Sequence, residues 1–151
     1  MGTAIARPDL SNRPLSCSCE RLMAAPARTL FEAWTTGFDR WFAAPGTLRF
    51  TAAPGAPFFF YNRIEWGRHP HYGRVLALVP DRSIELAWVT GNGRAEGTEG
   101  AETILTITLE PQAAGTLLRL DHRGFVNEAS RRAHADNWPL ALDELAARVG
   151  A

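Results

Sequence analysis

Residues 127–149, NEASRRAHADNWPLALDELAARV, constrain the fold more than any other stretch. In their second half Trp138, Leu142, Leu145 and Val149 recur at spacings of four, three and four, one stripe of a helix with about 3.6 residues per turn. Asp143, Glu144 and Arg148 fall mostly on the other side. Such an amphipathic helix, about 20 Å long at roughly 1.5 Å per residue, needs a broad apolar surface to lie against. Upstream, residues 15–124 read mostly as short strands, so the economical arrangement is one curved sheet gripping one terminal helix.

Pro139 resists the simple picture. Its ring clashes with the carbonyl four residues back and it has no N–H, which costs on the order of 3 kcal/mol inside a helix. Asn137 is a good N-cap that would put Pro139 in a first turn. The sequence therefore predicts a kink or short break near Asp136 and Asn137, with Asn127 capping a weaker helical piece before it.

The strands announce themselves by alternation. Leu15–Met23 sets Leu15, Cys17 and Cys19 against Ser16, Ser18 and Glu20. Residues 24–36 open a helix at Pro26 with Leu30, Phe31 and Trp34 on one stripe, and Phe38, Trp41 and Phe42 form a second short apolar stripe beyond Gly37. Residues 47–53 read as a strand, followed by a Pro54-Gly55 turn. Next comes PFFFYNRIEW (57–66), with Phe58, Phe60, Asn62 and Ile64 on one face and Phe59, Tyr61, Arg63 and Glu65 on the other. A turn at 67–70, strands at 72–79 and 83–90, a glycine-rich loop at 91–100, and strands at 102–110 and 116–122 complete the series. The connections are too short for parallel crossovers, except across the two small helices. The expected fold class is α+β: a curved antiparallel sheet of about seven strands around a long C-terminal helix, with two short helices after the first strand. Residues 1–14 are expected as a flexible N-terminal segment and 15–151 as one domain.

Composition narrows the function classes. Sixteen basic and sixteen acidic residues cancel, so nucleic acid and anionic membrane are poor partners. No stretch approaches the roughly 20 apolar residues of a membrane span, and the first residues carry no secretory h-region; a cytoplasmic protein is expected. The two cysteines, Cys17 and Cys19, are too close along a strand for an easy mutual disulfide, and their CxC lacks further zinc ligands; two small apolar side chains on the inner face is the plainer reading. No GxxxxGK[ST] or GxSxG occurs, and the chain contains no lysine. No metal and no cofactor is expected.

Taken in order, CERLMAAPARTLFEAWTT, GFDRWFA, YGRVLALVPDRSIELAW, ETILTITLEP with GTLLRLDHRGF, and NWPLALDELAARV resemble the START-like (SRPBCC) superfamily, and within it the group similar to the C-terminal domain of the activator of Hsp90 ATPase. The resemblance implies a helix-grip fold with a cavity between sheet and helix. Relatives bind lipids, sterols or polyketides, some act as cyclases or dehydratases on aromatic intermediates, and the eukaryotic activator stimulates a chaperone. Direct chaperone activation is not expected here, because the chain has no separate N-terminal domain of the kind that activator uses, and Asn137-Trp138-Pro139 stands where relatives commonly carry Gly-Trp.

Five Trp and eight Phe are more aromatic width than an ordinary core asks for. Phe38, Trp41, Phe59, Tyr61, Trp66, Trp88, Trp138 and Leu142 are the expected lining of a pocket for a small hydrophobic or aromatic molecule, with Arg63 or His122 orienting it; the alternative is that these rings simply fill the core. If the protein is an enzyme of the cyclase or dehydratase kind, His122 is the candidate acid or base, its ordinary pKa lying near 6.5. His69 and His71 could bind a metal only with a third ligand that the spacing does not supply. A third reading is an interaction module, in which Phe58, Phe60 and Ile64 form an outer face buried in a homodimer.

Overall fold

The computed structural model describes residues 5–64, 67–90 and 101–150, with the side chains of 62–69 outside the described set. In chain order the elements are β1 (Leu15–Met23), α1 (Ala27–Ala33), a 3-10 turn (Phe38–Arg40), β2 (Arg49–Phe50), β3 (Pro57–Ile64), β4 (Gly67–Val79), β5 (Ser83–Thr90), β6 (Thr103–Gln112), β7 (Gly115–Phe125) and α2 (Glu128–Val149). The strands form one antiparallel sheet in the order β1-β7-β6-β5-β4-β3-β2. From β2 to β7 each strand pairs with its sequence neighbours, and β1 returns to close the far edge on β7.

One face of the sheet carries the core. Phe58 and Phe60 of β3, Val75 of β4, Ile84, Leu86 and Trp88 of β5, Leu105, Ile107 and Leu109 of β6, and Leu118 and Leu120 of β7 are all buried in one cluster with Trp138, Leu142 and Leu145 of α2. Cys17 and Cys19 pack on the same cluster. An irregularity between Val75 and Ala77 breaks the alternation of β4. Val75 points into the main core, while Leu76, also buried, joins Ala87 and Ile104 on the opposite face; an extra residue of this kind bends a strand and increases its twist. At Gly73 the strands approach so closely that a Cβ would stand 1.8 Å from the Ala87 carbonyl oxygen.

The terminal helix is continuous. Asn127 caps it, its side chain accepting from the Ser130 N–H at 2.8 Å, but the break expected near Asp136 and Asn137 is not there: α2 runs through Pro139 for 22 residues. Packing explains the difference. Trp138, Leu142 and Leu145 are all buried, each contributing about 1.5–3 kcal/mol on burial, which together outweigh the roughly 3 kcal/mol that an interior proline costs. Pro139 itself lies on the exposed side.

Other boundaries differ from expectation as well. The strand expected over 47–53 shrinks to Arg49–Phe50, because its flanks fold back locally, with Thr47 N–H donating to Ala44 O and Ala53 N–H to Thr51 O. Residues 67–70 are not a turn. They begin β4, with Gly67 opposite Ile64; residues 65 and 66 lie outside the described set. Pro111, expected in the next connection, belongs to β6 opposite Thr116. The predicted loop at 91–100 also lies outside the described residues.

Residues 5–14, ahead of β1, lie over the outer face of the sheet. Ile5 and Leu10 pack on Leu76, Ala87 and Ile104. Arg13 donates to the carbonyls of Gly124 and Glu102 at 2.9 and 2.6 Å, Arg7 pairs with Glu85, and Arg74 donates to the Ala6 carbonyl while forking onto Glu102 at 2.8 and 3.1 Å.

Candidate functional site

Between the sheet and the first half of α2, the interior is lined by rings. Trp88 lies 5.6 Å from Trp138 and 5.7 Å from Phe60, centroid to centroid. Phe42, from the segment after the 3-10 turn, stacks on Trp138 at 5.8 Å with 20° between planes. On the other side Phe38 lies against Trp41, Phe60 and Trp34.

Three histidines gather at one end of this cluster. His71 comes from β4, His122 from β7 and His134 from α2, and the rings of His122 and His134 are 4.9 Å apart at 89°. His122 is fully buried. The Trp138 indole N–H donates to its Nδ1 at 3.0 Å, so Nδ1 bears a lone pair and the neutral ring carries its hydrogen on Nε2. That hydrogen points to Thr103 Oγ1 at 2.7 Å, and the Thr103 hydroxyl donates in turn to the Trp88 carbonyl, also at 2.7 Å. Burial first, then the neighbouring His134 and His71, hold the imidazole pKa well below its usual range. A proton added at Nδ1 would face the indole N–H directly.

A second chain runs beside the first. Thr90 Oγ1 accepts from the Trp88 indole N–H at 3.0 Å and lies 3.2 Å from His71 Nδ1 and 3.4 Å from His134 Nε2. His134 Nδ1 donates to the Ser130 carbonyl at 2.8 Å. A neutral His134 therefore presents Nε2 to the Thr90 hydroxyl as an acceptor. The site thus offers hydroxyls, imidazoles and indole N–H groups at the end of an apolar, aromatic interior. Two open grooves among the described residues lie outside it: one on the outer face of β1, β7 and β6, including Ser18, Glu20, Arg119 and Asp121, the other along α2, including Glu128, Arg132 and Asp136. No group of three His, Cys, Asp or Glu among the described residues is placed to hold a metal.

The sequence-predicted residues separate into groups. Phe38, Trp41, Trp88, His122, Trp138 and Leu142 are all buried, and all but His122 belong to the main apolar cluster, which His122 reaches through Trp138. Phe59 does not join them: it is 41% exposed on the outer face, because β3 turns Phe58 and Phe60 inward onto Trp88. Tyr61 shares the parity of Phe59 and is half-buried. The same parity corrects the interface reading, since Phe58 and Phe60 belong to the core and not to an outer dimer face. The side chains of Arg63, Ile64 and His69, and the whole of Trp66, lie outside the described residues. His134, Thr90 and Thr103 were not anticipated. A signal for His134 was present, since it precedes Trp138 by four residues and extends the helix stripe by one turn.

A seven-stranded antiparallel sheet curved around one long C-terminal helix, with two short helices after the first strand, is the helix-grip arrangement of START-like (SRPBCC) proteins, a fold able to form a ligand-binding groove between sheet and helix. The chain belongs to the family described as Activator of Hsp90 ATPase homolog 1-like protein, whose model matches residues 24–150. Solved structures agree in fold. A protein from Chromobacterium violaceum superposes with a TM-score of 0.73 at 24% identity, covering 91% of this chain and 99% of its own. The AHSA1 protein from Silicibacter pomeroyi gives 0.71 at 24%, covering 89% and 97%. The Aha1 dimer from Colwellia psychrerythraea gives 0.66 at 17%, covering 89% and 96%. No curated protein matches the chain. No helix among the described residues is long and apolar enough to cross a membrane.

Proposed function

We propose that the protein binds a small hydrophobic or aromatic molecule between the sheet and α2. One observation carries this reading: the hydrogen-bonding side chains of His71, Thr90, His122 and His134 converge on one end of the Trp88, Trp138 and Phe42 ring cluster. Apolar walls with a few oriented polar groups are what small-molecule sites are made of. Acid–base chemistry at His122 is not favoured, since both of its ring nitrogens are engaged and its imidazole is held neutral. Mass spectrometry of the gently purified protein under native conditions, with the denatured mass as reference, tests the reading. A discrete excess mass is expected. Absence of any excess, together with no uptake of an added aromatic such as 1-naphthol, overturns it.

A second reading is self-association through the outer face of the sheet. It rests on Phe59 and Tyr72, paired across β3 and β4 and 41% and 42% exposed, and on the dimer named for the Colwellia psychrerythraea relative. Sedimentation over a range of concentrations should show a monomer–dimer equilibrium that Phe59→Ser weakens; a monomer throughout rules this out.

A further inference from the structure

Phe42 stands between the sheet and α2 without belonging to either. Its ring lies nearly parallel to Trp138, edge-on to Phe60 at 5.7 Å and 77°, and 5.6 Å from His71. Unlike Phe60 and Trp88, which are fully buried, Phe42 is only partly covered. Its backbone is in neither helix nor strand, and the segment ends at Gly46, whose φ of +77° favours glycine. The polar groups within reach are the His71 imidazole and the Thr90 hydroxyl bonded to it. Among the described residues the interior buries hydroxyls and imidazoles, and no carboxylate or guanidinium.

We propose that Phe42 is a built-in occupant of the ligand site, holding the place of a flat, uncharged aromatic molecule that carries a hydroxyl or ring nitrogen. The ligand's ring takes the stacking position on Trp138 as Phe42 swings out, and its polar atom meets the Thr90 and His71 end of the cluster. This rests on the binding reading above and adds to it the ligand class and the gate. The charge preference follows from desolvation: among the described residues a carboxylate brought into this interior would find no buried guanidinium to compensate it. The gating follows from population: a site competent only when Phe42 is out binds more weakly by the fraction of time it is out, and removing the ring removes that penalty.

Calorimetric titration of the full chain with 1-naphthol and with 1-naphthoate tests the inference. Phe42→Ala should bind 1-naphthol about tenfold or more tightly than wild type, and Phe42→Leu, the milder change should the first fail to fold, about threefold more tightly. Leu109→Ala, which opens space elsewhere in the same core, should leave the affinity within about twofold. In Phe42→Ala, 1-naphthoate should bind about a hundredfold more weakly than 1-naphthol. The inference is overturned if folded Phe42 variants gain no affinity, if Leu109→Ala gains as much, or if the two probes bind alike. Uptake of 1-naphthol by wild type without a gain in the Phe42 variants removes the gate and leaves the binding reading standing. If neither wild type nor variants take up the probe and no excess mass is carried, both fall.

Discussion

Trp138 of the helix gives its indole hydrogen to Nδ1 of His122 on the sheet, across 3.0 Å, in an interior closed to water. Replacing Trp138 with Phe keeps a ring in place but leaves that nitrogen without its donor. An unsatisfied buried acceptor costs about 1–3 kcal/mol, so urea unfolding should show W138F destabilised by that amount, beyond what the smaller ring alone removes. An unchanged midpoint would mean that the bond contributes nothing.

His122 also sets a pH dependence. Its folded pKa is depressed below the ordinary value of 6.5 by burial and then by His134 and His71, so below that value the unfolded chain takes up a proton that the folded chain refuses. The associated stability is complete above about pH 6.5 and falls as the pH drops toward the depressed folded value, by up to about 1.4 kcal/mol per pH unit. Unfolding curves from pH 8 to pH 5 should show this slope, and His122→Gln should flatten it.

The thiol of Cys17 is pushed up to about 11, chiefly by burial and then by Cys19. Since only the thiolate reacts, iodoacetamide at pH 8 should label Cys17 in the folded protein roughly a hundredfold more slowly than in urea. Equal rates in the two states would show the inner face of β1 to be open.

Pro139 is tolerated inside α2, and the helix continues through it. Pro139→Ala restores a donor to the Ala135 carbonyl and removes the ring clash. The variant should be stabilised by about 1–3 kcal/mol, less what the unfolded chain regains in freedom. Its melting temperature decides the matter; a lower one would mean that the proline is needed for the helix's path across the sheet.

Gly73 has no room for a side chain, with a Cβ placed 1.8 Å from the backbone oxygen of Ala87 and 3.0 Å from the Phe58 ring. Gly73→Ala must push β4 away from β5 at the position opposite Trp88. A loss of more than about 3 kcal/mol is expected, measured by denaturant unfolding.

Much of this architecture could be read from residue order alone, for reasons that differ by element. β1 and β5 alternate over their first residues, and their limits, Leu15–Met23 and Ser83–Thr90, stand as expected. The stripe of Trp138, Leu142 and Leu145 likewise identified the helix face that meets the sheet. Alternation gives two faces, however, and does not say which points inward. In the run of three phenylalanines both faces are apolar, and the choice is made by Trp88 on a strand two places away in the sheet. His134 escaped notice because a break was expected just after it, and local proline chemistry is silent about the tertiary packing that overrides it. The contact of Thr90 with His71 depends on the register of β4 against β5, and that of Thr103 with Trp88 on the register of β5 against β6, which only the assembled sheet supplies.

The strand order also dictates a sequence of events during synthesis. Strands β2 to β7 can zip one after another, each onto its neighbour in the sequence. β1 must wait, since its partner β7 is made about a hundred residues later and its antiparallel register joins Cys17 to His122 and Met23 to Thr116. Until then its nine residues leave the ribosome as an unpaired strand. The last helix, emerging after every strand, locks β1 in place, with Arg21 pairing to Asp143. A chain stalled before β7 would therefore expose both this strand edge and the aromatic interior at once, the state in which a chaperone would meet it.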